Sequence, residues 1–111
     1  MNKYAFATLS TLIFGLGAVF STNAVAVDGD VQRGEELAGS CFACHGPEGV
    51  SHQPDMYPHL AGRRAEDLVA LLELYRDGEV QDVMMTPQAE QLSDQDIADL
   101  AVYFAEQPAT E

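Results

Sequence analysis

The chain has 111 residues, with 18 acidic side chains against five lysines and arginines and a formal net charge of −13. Such a surface repels nucleic-acid phosphates and anionic membranes, which excludes binding to either. The length allows one small domain, and the two cysteines limit the chain to a single two-thiol site.

Met1-Asn2-Lys3 is a short basic start. Tyr4 to Phe20 is mostly apolar, and Ser21 to Ala26 ends in a small-x-small pattern, Ala24-x-Ala26. This reads as a secretory signal peptide over residues 1–26, with a cut after Ala26. A retained anchor is the competing reading, because the apolar run is close to the shortest spanning helix of about 17 residues. The polar Asp28-Gly29-Asp30 that follows favours cleavage. The mature domain is then 27–111, outside the cytoplasm and without stable membrane insertion. All 18 acids lie in that part, against Arg33, Arg63, Arg64 and Arg76. Such a balance steers a protein toward partners with a basic docking surface, although solvation alone is an equal reading.

The first predicted helix runs from about Asp30 to Gly39, with Val31, Leu37 and Ala38 apolar and Asp28 or Asp30 as its N-cap. It leads into Cys41-Phe42-Ala43-Cys44-His45, which holds both cysteines. C-x-x-C-H is the attachment signature of a c-type haem. Residues three and four apart share one face of a helical turn. Cys41 and Cys44 can therefore reach adjacent vinyl groups on one porphyrin edge, and His45 lies beside the iron as a ligand. Residues 46–62 are rich in Gly and Pro and aperiodic, so they read as a loop, with Pro47, Pro54 and Pro58 barring a long helix. His52 and His59 in it read as surface residues.

The second helix spans about Arg64 to Asp77, with Leu68, Leu71, Leu72 and Tyr75 at helical spacing and Gly78 as its stop. Arg63 and Arg64 are candidates to pair with a haem propionate, against the plain reading of a solvated helix start. A loop from Glu79 to Leu92 holds Met84, Met85 and Pro87. A haem iron with one histidine takes a second axial ligand, and methionine raises its potential. Met84 and Met85 sit off any periodic face, which suits a ligand loop better than core filler. The last helix begins at the N-cap Ser93, with Asp96 three residues on in a capping-box arrangement. Ile97, Leu100, Ala101 and Phe104 form its apolar stripe, and Pro108 closes it. No strand-like alternation appears, so the fold class is all-α with long loops.

Other uses of the cysteines fit less well. Cys41, Cys44, His52 and His59 lack the spacing of a structural zinc site. A thiol–disulfide motif expects a βαβ context that the chain does not offer. A plain disulfide is compatible only with an oxidising compartment.

Four ordered blocks, C-F-A-C-H-G-P-E-G, Y-P-H-L-A-G, M-M-T-P-Q-A and L-S-D-Q-D-I-A-D-L-A-V-Y-F, resemble the small bacterial class I cytochromes c. The likeness extends to the monohaem periplasmic carriers and to one half of the dihaem ones, over residues 29–107. It implies a class I cytochrome c fold, with three main helices and long loops around one covalent haem c. It implies close approach of the first and last helices at Gly34, against Tyr103 or Phe104. It makes Met85 the second iron ligand, rather than Met84, and the Pro58 carbonyl the acceptor for the second ring nitrogen of His45. It implies a periplasmic one-electron carrier that works with redox partner proteins and is not an enzyme. A haem subunit fixed to a larger oxidoreductase is the alternative, and a gas-binding or sensory haem protein is a more distant one. One departure stands out. Glu79-Val80-Gln81-Asp82-Val83 occupies a stretch where many relatives are basic, so partners cannot be carried over from basic-surfaced relatives.

Overall fold

The computed structural model describes residues 12–19 and 26–110. Most of the expected signal peptide therefore lies outside the described residues. Residues 12–19 form no regular element, and no helix among the described residues is long and apolar enough to cross a membrane.

The fold is all-helical among the described residues, in five α-helices: the three expected and two further short ones. α1 is Val31–Leu37, and Asp30 caps it, its carboxylate accepting from the N–H groups of Gln32 at 2.9 Å and Arg33 at 3.2 Å. The helix stops two residues before the expected Gly39. Ala38 shares its N–H between the carbonyls of Gly34 and Glu35, which tightens the turn. A separate helix α2, Gly39–His45, then carries the whole C-x-x-C-H sequence. Gly46 ends it at φ 81°, a conformation costly for side-chain-bearing residues, and a Cβ there would strike the Val50 carbonyl. A 3₁₀ turn, Pro47–Gly49, opens the long loop.

α3 is Ala65–Arg76, within one residue of the predicted span at each end. The segment 79–92 is not loop throughout, because α4, Met85–Ala89, forms inside it. α5 is Asp94–Glu106. Its capping box closes as expected: the Ser93 hydroxyl accepts from the Asp96 N–H and the Asp96 carboxylate from the Ser93 N–H, both at 3.0 Å.

α1 packs across α5, and α3 packs against both α5 and α4. Ala38, Leu68, Leu100, Ala101, Tyr103 and Phe104 form the core cluster. The expected stripe of α5 is buried, and so are Tyr103 and Asp99 beside it. Gly34 approaches the Asp99 carbonyl and the Cβ of Tyr103, not Phe104. Phe42 anchors α2 to this core, its ring centroid 6.3 Å from those of both Tyr103 and Phe104. The cysteine-bearing helix is thereby fixed to the α1–α5 crossing.

Candidate functional site

Cys41 and Cys44 stand three residues apart on α2, both as free thiols. Cys41 is half-buried against the core and Cys44 is exposed. Burial pushes the Cys41 thiol above its usual range. His45, the last residue of α2, is 8% exposed. Its Nδ1 lies 2.7 Å from the Pro58 carbonyl oxygen. A carbonyl only accepts, so Nδ1 carries the proton and Nε2 carries the lone pair. Tyr57 meets the imidazole edge-on, with centroids 6.4 Å apart. The Pro58 carbonyl thus orients the ring and sets its tautomer.

The loop that supplies Pro58 is tied down along its length. The Gly49 carbonyl accepts from Leu60 at 2.9 Å and Ala61 at 3.2 Å. The Gly62 N–H reaches the Phe104 carbonyl at 2.9 Å. His59 does not behave as a simple surface residue: half-buried, its Nδ1 accepts the Ser51 N–H at 2.9 Å. His52 is exposed, as expected. Ser51 is itself buried, and its hydroxyl accepts from the Gln53 N–H at 3.1 Å.

Met85 opens α4 and is half-buried, whereas Met84 is 53% and Met56 68% exposed. Arg64 is engaged with Asp67 through a two-point contact, Nη2 to Oδ1 at 3.0 Å and Nε to Oδ2 at 3.1 Å. Arg63 is exposed. Among the described residues no three His, Cys, Asp or Glu side chains converge to hold a bare metal ion.

Sequence reasoning missed a buried polar cluster at the α1–α5 crossing. Asp99 is fully buried and accepts from the Arg33 guanidinium at 2.5 Å, the Asp30 N–H at 2.7 Å and the Gln95 amide at 2.8 Å. Arg33 also reaches Asp96 at 2.6 Å. It missed Asp82 as well, which a reading of aspartates as turn formers would have found.

A family model described as cytochrome c matches residues 31–107. The chain belongs to the cytochrome c family. It is 44% identical over 82 residues to cytochrome c-554(548) of Halomonas halodenitrificans, covering 71% of this chain and 98% of that protein. It is 39% identical over 107 residues to cytochrome c4 of Pseudomonas aeruginosa, covering 96% of this chain and 49% of that one. A protein of Thiomonas intermedia named thiosulfate dehydrogenase electron acceptor is 35% identical over 68 residues, covering 61% of this chain and 31% of that protein. The chain thus spans nearly all of one such relative and about half of the cytochrome c4.

Cytochromes c carry electrons between redox partners on a covalently attached haem c, and haem c is the cofactor of this chain. The residues fit it. Two free thiols on one helical turn precede an imidazole whose Nε2 lone pair is available. Elsewhere in the domain, many apolar residues are only half covered by protein. On α3 only Leu68 is buried, while Val69, Leu71, Leu72, Leu74 and Tyr75 remain partly exposed. Leu60, Leu92 and Met85 are half-buried as well. Apolar side chains left half-covered in a domain this small suit contact with a large apolar group.

Proposed function

We propose that this chain is a periplasmic one-electron carrier with a single haem c, attached through Cys41 and Cys44 and ligated by His45 and Met85. Residues 1–26 serve as its signal peptide, and 27–111 form the mature domain. The haem iron supplies exchange of one electron between Fe(II) and Fe(III). The observation that carries the reading is the His45 Nδ1 contact with the Pro58 carbonyl at 2.7 Å. That hydrogen bond holds the ring in one orientation with Nε2 as the nitrogen left to ligate, the pattern of a metal-ligating histidine.

The other residues follow from this. Phe42 and the tied loop keep α2 and Pro58 at a fixed separation, so His45 does not swing away. Met85, half-buried at the start of α4, would supply the second iron ligand, and methionine ligation would raise the potential. If His45 and Met85 both hold the iron, no position would remain for a substrate, which favours a carrier over an enzyme. The acidic surface supports transient docking to a redox partner with a basic face.

A redox titration of the holoprotein with spectra of both oxidation states tests the reading. The expected result is one reversible one-electron wave and a ferric methionine–iron charge-transfer band. Met85→Ala removes the band and lowers the potential, and Met84→Ala does neither. Loss of the band in Met84→Ala instead would move the ligand to Met84.

A further inference from the structure

Met85 belongs to a helix too short to hold itself. α4 is five residues long, and an isolated helix below about 12 residues is marginal in water. Its order has to come from outside its own ladder.

Packing against α3 supplies part of that order, and Asp82 holds the N-terminal end. Its Oδ1 accepts from the N–H of Met84 and from the N–H of Met85, each at 2.8 Å. Its carbonyl accepts from the Thr86 N–H at 3.0 Å. Its own N–H donates to the Thr86 hydroxyl oxygen at 2.9 Å. Residue 87 is proline and has no N–H to satisfy. Helix starts leave backbone N–H groups without intrahelical partners. Here those of residues 84 to 86 end on Asp82, and proline deletes the next. With two consecutive amides bound to one oxygen, the backbone of both methionines is fixed. Their side chains then meet different surroundings, Met85 half-buried and Met84 half in water. The Met85 amide and then the Met84 amide hold the Asp82 carboxyl below the usual carboxylate range, against a smaller upward push from desolvation.

We propose that Asp82 is a positioning residue that holds Met85 on the haem iron by accepting the two methionine amides. The proposal rests on Met85 being the ligand. It concerns the fixed backbone from which the sulfur reaches the metal, not the charge of Asp82.

The test is imidazole titration of the ferric holoprotein, because imidazole competes with the methionine sulfur for iron. Wild type is compared with Asp82→Ala, Asp82→Asn, Asp82→Ser and Met85→Ala. Asparagine keeps an acceptor oxygen at the same place, and serine is also a good helix-start acceptor. Losing such an acceptor shifts the local equilibrium by about three- to thirty-fold. Asp82→Ala is therefore expected to bind imidazole about three- to thirty-fold more tightly and to show a weaker charge-transfer band, with the Asn and Ser variants within about threefold of wild type. An unchanged affinity in Asp82→Ala overturns the proposal. Equal tightening in the Ala and Asn variants also overturns it, because charge rather than acceptor geometry would then be responsible. A charge-transfer band that survives in Met85→Ala overturns the ligand assignment itself, and is read independently of the Asp82 variants.

Discussion

Gly34 of α1 lies with its Cα hydrogens against the main-chain carbonyl of Asp99 in α5. A Cβ at position 34 would strike that oxygen, and would lie 2.7 Å from the Asp99 carbonyl carbon and 2.8 Å from the Cβ of Tyr103. None of these neighbours is the flexible end of a side chain, so the helices themselves would have to part. Overpacking of this kind costs about 1–3 kcal/mol or more. The gain in helix propensity from Gly to Ala is at most about 1 kcal/mol. Gly34→Ala should therefore lower stability, measured as a drop in the denaturant midpoint with little change in slope. An unchanged midpoint would show that the α1–α5 crossing relaxes freely.

The same crossing sets a pH dependence. Burial of Asp99 pushes its pKa upward, but the Asp30 N–H, Arg33 and Gln95 together outweigh burial and hold it below 3.8. Asp96 is also held low, by the Ser93 N–H first and then by Arg33. For a carboxyl depressed in the folded state, the stabilisation is present above the unfolded pKa and lost as pH falls through the folded one. The domain should keep full stability down to about pH 5 and lose it progressively below the ordinary carboxylate pKa of about 3.9. Asp99→Asn keeps the shape but turns one acceptor into a donor facing Arg33. It should cost about 1–3 kcal/mol near neutral pH and flatten the acid limb of the stability curve. A variant whose acid limb matches wild type would remove Asp99 from this account.

Much of the fold is local and so could be read from the sequence. The Ser93–Asp96 box and the Leu68 stripe lie within one or two helical turns, and each marks its own helix. Asp99 is different. It sits inside the α5 stripe as a charge, and its burial makes sense only with Arg33, 66 residues away. α4 is only five residues long, too short to show a periodic stripe, and Asp82, which accepts its first amides, lies outside it. The break at Ala38 arises from a shared hydrogen bond that no side chain announces. At the candidate site, the thiols and His45 are adjacent in sequence, so local spacing places them. The partner of the imidazole is a main-chain carbonyl 13 residues on. A carbonyl is present at every residue, so only the resemblance to cytochromes c pointed to Pro58.

The proposed attachment through Cys41 and Cys44 has a chemical consequence. Thioethers survive unfolding, whereas axial ligation does not. Holoprotein made with haem-attachment machinery should keep its haem after denaturation and acid–organic extraction. Cys41→Ala and Cys44→Ala should each retain haem through one bond, and the double variant should release it completely. Haem extracted from the wild-type protein would refute covalent attachment at this pair.

The charge on this chain predicts the sign of a kinetic effect. Around the methionine loop the surface combines exposed apolar groups with acids: Val83 is 91% and Met84 53% exposed, with Glu79, Asp82 and Glu90 exposed beside them in sequence. The net charge of −13 attracts a basic partner over a distance set by the Debye length. That length shrinks from about 30 Å at 0.01 M salt to about 8 Å at 0.15 M. The bimolecular rate of electron transfer to a basic redox protein should therefore fall about tenfold or more over that range, and transfer to an acidic one should rise. Glu79→Lys reverses a charge at this loop without touching the proposed ligands or the amides held by Asp82. It should make the salt dependence shallower while leaving the reduction potential nearly unchanged. Stopped-flow rates against ionic strength measure both effects. A rate independent of salt would assign the acids to solvation alone. A slope altered by a distant control such as Glu106→Lys but not by Glu79→Lys would move the docking surface away from the methionine loop.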